Sequence, residues 1–245
     1  MTAPATAAVQ VLNGDFSGAR NSASGQIEPT PIFFGSHTYL TDFAWTNTGS
    51  GALSYILDNA AQANLFAPAN PAGYSGNIYA ADASTVYDQG TYLLQTLSGL
   101  TVGQSYVVSF LQASGSLYSG AGDTAQWAVG FGGSILTDST GLASLSSDAA
   151  VKSSTLMLND TANGSAGWQR QSLSFTATDA SQLLSFFATG SGAPPFALLA
   201  DVSITAVPET TTWLMMVFGL GLVGVALRRA TATRRAALEV ACGSV

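Results

Sequence analysis

The stretch Tyr106-Val107-Val108-Ser109-Phe110-Leu111 decides the fold class of this chain. Its first, third and fifth residues are Tyr, Val and Phe, and they alternate with Val, Ser and Leu. This two-residue period is typical of a β-strand that buries one face. Gly99 and Gly103 precede the stretch and supply a turn, and Tyr92 to Leu97 reads as the strand before it. The sequence therefore predicts two strands joined by a turn, with the Tyr106 ring on the core face.

Alternating segments continue along the chain, broken by Gly, Asn, Asp and Ser. They are Trp127 to Phe131, the face of Leu173, Phe175 and Ala177, the face of Leu184, Phe186 and Ala188, and the face of Leu198, Ala200, Val202 and Ile204. Residues 134–154 are less periodic and are interpreted as a long loop with room for a helical turn. Helical periodicity is scarce, so the pattern predicts an all-β fold over residues 9–206, an antiparallel sandwich or barrel.

Composition limits the functions that this domain can have. The chain of 245 residues suits one domain with an appendage. Only Arg20, Lys152 and Arg170 are basic before residue 210, against thirteen acidic residues, so this part carries 3 − 13 = −10 charges. Such a surface repels phosphate backbones, and we expect no binding to nucleic acid. The single cysteine, Cys242, excludes a disulfide or a thiolate metal site from the main domain.

An apolar run of eighteen uncharged residues occupies positions 210–227. As a helix it would be about 27 Å long, close to the thickness of a hydrocarbon core. Trp213 would lie at one interface and Arg228-Arg229 at the other, and this basic flank places residues 230–245 in the cytoplasm as a basic tail. The sequence thus predicts a single C-terminal transmembrane helix with the main domain outside. The alternative is a buried core helix.

The residues around this run resemble a known bacterial sorting signal. Val207-Pro208-Glu209, then Trp213, the Gly/Leu-rich run and Arg228-Arg229 are similar to the PEP-CTERM signal, here spanning 207–229. The resemblance implies processing near Pro208-Glu209 by an exosortase-type transpeptidase at the inner membrane, then delivery to the cell envelope, cell surface or extracellular matrix. Thr210 stands where the family usually has a second proline, so permanent anchoring by an uncut helix stays open.

The first eight residues do not form a complete export signal. Residues 1–8 have no basic region and no long apolar region. Ala5-Thr6-Ala7 resembles the small-residue end of a signal peptide, so residues 1–8 are interpreted as the remnant of an export segment or a disordered start. In the alternative, the tail inserts on its own after translation and the main domain stays in the cytoplasm.

Several short sequence motifs of the main domain resemble those of the galactose-binding-like jelly rolls found in carbohydrate-binding modules. They are Asn13-Gly14-Asp15-Phe16, residues 97–106, Trp168 at the start of a strand, and residues 198–204. The resemblance implies an antiparallel jelly-roll β-sandwich that binds a polysaccharide. It also implies a structural calcium ion that joins the first strand to the last through Asp15 and Asp201. Ser17 and Ala200 stand where further acidic ligands are common, and in the alternative both aspartates are polar residues at strand edges.

Sugar recognition in such modules stacks aromatic rings on pyranose rings. The candidates lie in segments rich in Gly, Asn and Ser, and they are Trp45, Tyr74, Tyr79, Tyr87 and Tyr118. Trp127 and Trp168 are predicted to lie in the core. His37 is the only histidine and no nucleophile motif surrounds it, so we expect no enzyme. The alternatives are a structural surface protein without a ligand, and a secreted hydrolase with a carboxylate pair among Asp82, Asp88 and Asp123.

Overall fold

The structure is a computed structural model, and it divides the chain into two compact units, residues 1–206 and 207–245. The residues that it describes are 9–17, 20–21, 32–33, 40–41, 44–48, 54–57, 66–84, 92–118, 120–139, 143–192, 194–208, 220–221 and 228. The first half of the first unit contains strands β1 Arg20–Asn21, β2 Ile32–Phe33, β3 Leu40–Thr41, β4 Thr46–Thr48, β5 Ser54–Leu57, β6 Ile78–Asp82, β7 Tyr92–Ser98 and β8 Ser105–Ser116. The second half contains β9 Thr124–Phe131, β10 Ile135–Thr137, β11 Ala143–Leu145, β12 Ala150–Ser153, β13 Met157–Leu158, β14 Ala166–Thr176, β15 Ser181–Ser191 and β16 Pro195–Ala206.

Among the described residues, the first unit contains two antiparallel six-stranded sheets and two two-stranded sheets, β1-β3 and β10-β11. The first sheet has the order β12-β9-β15-β7-β4, with β13 also paired to β9. The second sheet has the order β14-β8-β16-β6-β5-β2. Residues of both sheets meet in one apolar core, where Trp127 and Phe110 each make an edge-to-face contact with Phe186. The predicted all-β antiparallel sandwich is confirmed.

The stretch that indicated the fold class lies in β8, between β14 and β16 of the second sheet. Tyr106, Val108 and Phe110 are buried in the core between the sheets, whereas Val107 and Ser109 are only partly buried. Gly99 and Gly103 have φ angles of 81° and 84°, a left-handed backbone that favours glycine. The turn predicted between β7 and β8 is therefore confirmed.

A β-bulge in the last strand corrects the predicted face of Leu198, Ala200, Val202 and Ile204. The register between β16 and β8 shifts between Ala200 and Ser203, and Asp201 takes a φ of 51°. The extra residue reverses the alternation. Leu198 and Ala200 therefore pack on the outer face of the second sheet, whereas Val202 and Ile204 pack in the core between the sheets.

Residues 134–154 were predicted to form a loop and instead contain three short strands. β10 pairs with β11 as a hairpin, with Ile135 opposite Leu145, and β12 pairs with β9 at the edge of the first sheet. All four residues of β12 are exposed. An exposed edge strand does not need an apolar alternation, so no period marks it in the sequence.

Little of the second unit is described. Leu220, Gly221 and Arg228 are helical and exposed, and Val207 and Pro208 follow β16 directly. No helix among the described residues is long and apolar enough to span a membrane. The predicted transmembrane segment 210–227 lies outside the described residues except for Leu220 and Gly221, as do residues 1–8, Glu209, Arg229 and Tyr87.

Candidate functional site

An open groove of about 470 Å³ lies on the outer face of the first sheet. Its lining combines apolar side chains of the strands with polar groups from the turns beside them. The lining residues are Leu94, Thr96, Gly132, Gly133, Ser134, Ile135, Asp148, Asp179, Ser181, Gln182 and Leu183. Two of the eleven are carboxylates and none is Lys, Arg or His, so the groove is acidic.

Strand register explains which side chains reach the groove. Thr96 of β7 is opposite Leu183 of β15, and Leu94 is opposite Ser185. Alternate residues of a strand share a face, and Leu93 and Leu97 occupy the core face of β7. Leu94 and Thr96 therefore point away from the core, beside Leu183.

A stacked aromatic pair continues the same row of side chains. Tyr92 of β7 is directly opposite Phe187 of β15. Their ring centroids are 4.6 Å apart with an interplanar angle of 24°. Both residues are half-buried. Because Tyr92 lies two residues from Leu94, the pair is on the same sheet face as the groove.

A two-glycine turn shapes one end of the groove. Gly132 and Gly133 have φ angles of 83° and 69°, which L side chains rarely adopt. The Gly132 amide donates to the Leu183 carbonyl at 2.7 Å and attaches the turn to β15. A side chain at Gly133 would meet the Ser146 hydroxyl at 2.7 Å. The turn therefore brings β10 and the residues after β11 against each other.

Asp148 is held at the rim of the groove by a short hydrogen-bonded chain. The Ser134 amide donates to the Ser146 hydroxyl at 2.8 Å, and that hydroxyl donates to the Asp148 carboxylate. The Ser146 amide donates back to the Ser134 carbonyl at 2.9 Å. Asp179 lies in the turn between β14 and β15. Both aspartates are exposed, so their carboxylates are accessible to donors from a ligand.

Two of the predicted sugar-binding aromatics are core residues. Tyr79 lies in β6 with 1% of its surface exposed, and Trp45 is 6% exposed. The Tyr79 hydroxyl donates to the Asn47 amide oxygen at 2.9 Å, and Trp45 Nε1 donates to the Asn13 carbonyl at 3.1 Å. Trp45 precedes β4 and Tyr79 lies within β6, and the burial of both rings corrects the prediction that they stack on a sugar. Buried rings with satisfied polar atoms have no face for a pyranose.

The other predicted aromatics lie in different places. Tyr118 is 70% exposed, after the end of β8. Tyr74 is half-buried, and burial raises the pKa of its hydroxyl well above the usual range, with the nearby Asp15 and Asp201 carboxylates acting in the same direction. Neither residue lines the groove, so the four predicted aromatics that the structure describes do not form one surface.

Sequence reasoning missed the Tyr92 and Phe187 pair, although a signal for it was available. Phe186 and Ala188 were assigned to the core face of β15, and both are buried there. Phe187 between them must then point outward, away from the core. An aromatic residue at an outward position, opposite another aromatic on the neighbouring strand, forms an apolar cross-strand pair on the outer face of the sheet.

The predicted calcium ligands Asp15 and Asp201 lie near each other. The Val202 amide donates to the Gly14 carbonyl at 2.9 Å, and this hydrogen bond joins the first segment of the chain, residues 9–17, to β16. The Asp201 carboxylate forms a 2.6 Å ion pair with Arg170 of β14. The Asp15 carboxylate accepts hydrogen bonds from the Ser17 amide and hydroxyl. Among the described residues, no group of three or more His, Cys, Asp or Glu is placed to hold a metal ion.

No model of a known protein family matches this chain, and no curated protein matches it. Solved structures match it at low identity. The enzymatically active domain of tailspike protein 4 from bacteriophage CBA120 has 12% identity and a TM-score of 0.40, over 67% of this chain and 19% of that chain. The match therefore spans about a fifth of the tailspike domain.

Two further solved structures match over most of their own length. The CBM22-1 xylan-binding domain of Xyn10C from Paenibacillus barcinonensis has 12% identity and a TM-score of 0.40, over 74% of this chain and 99% of that chain. The K1 cleaved adhesin domain of Lys-gingipain from Porphyromonas gingivalis W83 has 15% identity and a TM-score of 0.38, over 67% of this chain and 92% of that chain. The sandwich assignment itself depends on the strand pairing described above.

Proposed function

We propose that the first unit binds a polysaccharide in the groove on the outer face of the first sheet. One observation carries the proposal: an apolar floor and an oxygen-rich rim occur together in an open groove, beside a stacked aromatic pair. The floor includes Leu94 and Leu183, and the rim includes Thr96, Asp148 and Asp179.

This combination suits the amphipathic surface of a sugar chain. A pyranose presents C–H groups on its faces, which pack on apolar and aromatic side chains. Its hydroxyls lie around the edge and donate to carboxylate and hydroxyl oxygens. An open groove also lets a chain extend past both ends. Ligand sites in general pair an apolar lining with a few polar groups that set orientation.

Binding measurements on designed variants test this proposal. The full chain, kept in a mild non-ionic detergent because of its apolar run, would be titrated with soluble neutral polysaccharides by calorimetry and affinity electrophoresis. We expect Phe187→Ala and the groove-filling Thr96→Trp to weaken binding about tenfold or more. Tyr118→Ala, which removes an exposed ring outside the groove, is the matched control. Binding that survives both groove changes, or no binding to any polymer, contradicts the proposal.

We infer that the groove binds without hydrolysis, although it contains two carboxylates. A glycosidase uses one carboxyl as a general acid in a desolvated setting and a second carboxylate opposite it. Asp148 and Asp179 line one groove, which favours a hydrolase as the second candidate, but both are exposed to solvent. Reducing-sugar release from any bound polymer, lost in Asp148→Asn or Asp179→Asn, would establish the hydrolase instead.

We further propose that the second unit is an export and sorting tail. Val207-Pro208-Glu209, the uncharged run 210–227 and Arg228-Arg229 support insertion into the inner membrane and recognition by an exosortase-type enzyme. The first unit would then work outside the cytoplasm, in the envelope or the surrounding matrix. Mass spectrometry of the mature C-terminus in the native cell tests this. An end near Glu209 supports cleavage, whereas an intact Val245 leaves only an anchor.

A further inference from the structure

We propose that the junction between the first segment of the chain and β16 is closed by the Tyr74 hydroxyl and the Arg170 guanidinium, without a calcium ion. In this junction, residues 14–17 meet the bulge at Asp201. The family resemblance implies a structural calcium at this place, through Asp15 and Asp201. The contacts of these residues fit a different arrangement, in which protein donors engage the Asp15 carbonyl, both oxygens of the Asp15 carboxylate and one oxygen of the Asp201 carboxylate.

The backbone at the junction is closely packed. The Val202 amide donates to the Gly14 carbonyl, and a side chain at Gly14 would collide with the Val202 carbonyl. A side chain at Gly76 would collide with the Asp15 carbonyl and the Tyr74 hydroxyl. The two glycines therefore let three chain segments approach at one point, and the protein fills the space between them with its own polar groups.

Carbonyl oxygens at this point accept hydrogen bonds from the protein. The Asp15 carbonyl lies 2.8 Å from the Asn77 amide and 3.0 Å from the Tyr74 hydroxyl. The same hydroxyl lies 2.9 Å from the Asn77 carbonyl, and the Asp201 amide donates to it at 3.4 Å. One phenol thus connects the first segment, residue 77 and the bulge. Its raised pKa keeps the proton on the oxygen, so it remains a donor.

The two carboxylates are also engaged, one of them by a cation. Arg170 Nη2 lies 2.6 Å from Asp201 Oδ2, and the Ser17 hydroxyl lies 2.9 Å from both oxygens of Asp15. Calcium takes six to eight oxygen ligands and tolerates no neighbouring cation without cost. The Arg170 guanidinium occupies one oxygen of Asp201, and Ser17 stands beside Asp15 where an acidic ligand would be needed. Too few oxygen ligands therefore remain for calcium. The residues present do not fit calcium.

Thermal unfolding of the full chain in mild detergent tests the metal part of this proposal. Tryptophan fluorescence would follow melting in millimolar calcium chloride and in EGTA. We expect the same melting temperature in both, within about 1 °C. A bound structural ion at a hundredfold excess over its dissociation constant would raise it by roughly 5 to 10 °C. A calcium-dependent rise of that size, absent in Asp201→Asn, overturns the proposal.

A pair of tyrosine variants tests the role of the protein groups. Tyr74→Phe should lower the melting temperature by about 3 to 8 °C, equally with calcium and with EGTA, because partly buried groups of Asn77 and Asp201 lose this hydrogen-bond partner. Tyr118→Phe removes an exposed hydroxyl and should change nothing. Arg170→Lys should lower the melting temperature by less than Tyr74→Phe, because the ion pair is exposed. If Tyr74→Phe has the same melting temperature as the wild type, the Tyr74 hydroxyl does not close the junction.

Discussion

The outer faces of the two sheets differ although both sheets are antiparallel and have six strands. On the second sheet the outer face carries a fully buried apolar cluster, here called the covered face: Leu57, Ile78, Ala80, Ala113, Phe196, Leu198 and Ala200. On the first sheet the outer face holds the open groove and the Tyr92 and Phe187 pair. The comparison separates a face that contributes to stability from a face that is available to a ligand.

Residues 66–77 lie over the covered face and explain part of its burial. Ala67 and Tyr74 pack against the apolar cluster. Phe66 exchanges backbone hydrogen bonds with Ser116, and Trp168 Nε1 donates to the Ala69 carbonyl at 2.8 Å. The segment is therefore attached at both ends and in the middle. A face closed in this way adds a second apolar layer outside the core between the sheets.

The largest expected effect comes from truncating a phenylalanine on each face. Phe196→Ala on the covered face should lower the free energy of unfolding by about 3 to 5 kcal/mol, because the ring is fully buried. Phe187→Ala beside the groove should lower it by roughly 1 to 2 kcal/mol, since that ring is half-buried. Urea unfolding of the full chain measures both. Equal losses would mean that the two faces do not differ in the way described.

The covered face also shows where prediction from sequence reached its limit. The alternation of Tyr106, Val108 and Phe110 was sufficient to identify the strand and its core face, because burial on one face leaves a period of two. In β16 the same reasoning failed after Ala200. A bulge adds one residue without changing composition, so Leu198 and Val202 looked equivalent in the sequence but lie on opposite faces.

The site was predicted less well than the fold, for a related reason. Segments rich in Gly, Asn and Ser suggested that Trp45 and Tyr79 have accessible rings, but both rings are buried in the core between the sheets. The groove depends on neighbours that are far apart in sequence, such as Thr96 and Leu183, or Ser134 and Ser146. Strand order and register bring them together, and neither can be obtained from local patterns.

The next effect concerns Asp82, the last residue of β6, which is on the same face of the strand as Ile78 and Ala80 of the covered face. Its Oδ1 accepts a hydrogen bond from the Ser84 amide at 2.8 Å, whereas its buried Oδ2 has no hydrogen-bond partner among the described residues. Burial raises the pKa of this carboxyl above its ordinary value of 3.8. The folded protein therefore holds the proton more tightly than the unfolded chain. The contribution of Asp82 to stability is complete below pH 3.8 and is lost as the pH rises through the folded value.

Asp82→Asn should consequently stabilise the protein by about 1 kcal/mol at neutral pH. The difference from wild type should shrink as the pH falls, and melting temperatures at several pH values would measure it. Asp160 is a control with the opposite sign, because hydrogen bonds from Asn163 lower its pKa. Its contribution is present above pH 3.8 and is lost as the pH falls. A wild-type advantage over Asp82→Asn at neutral pH would show that the carboxylate is solvated.

A smaller effect is expected at the attachment of residues 66–77. Trp168→Phe keeps a ring against the covered face but removes the hydrogen bond to the Ala69 carbonyl. We expect a loss of about 1 kcal/mol in the free energy of unfolding. Amide hydrogen exchange should also become faster within residues 66–77. Gln169→Ala, an exposed change in the same strand, is the control. Unchanged exchange would mean that the tryptophan does not hold this segment.

The smallest effect concerns the charge of the groove. Asp148 and Asp179 are the charged residues among the described lining of the groove, so the groove should disfavour anionic polymers. Replacing both by Asn should strengthen binding of a polyuronate relative to a neutral polysaccharide by about two- to fivefold at low salt. The gain should disappear at high salt, because exposed charges are screened. Stability should change by less than about 0.5 kcal/mol. If the ratio of the two affinities stays constant while both change, the carboxylates act only as hydrogen-bond acceptors for sugar hydroxyls and their charge does not select the ligand.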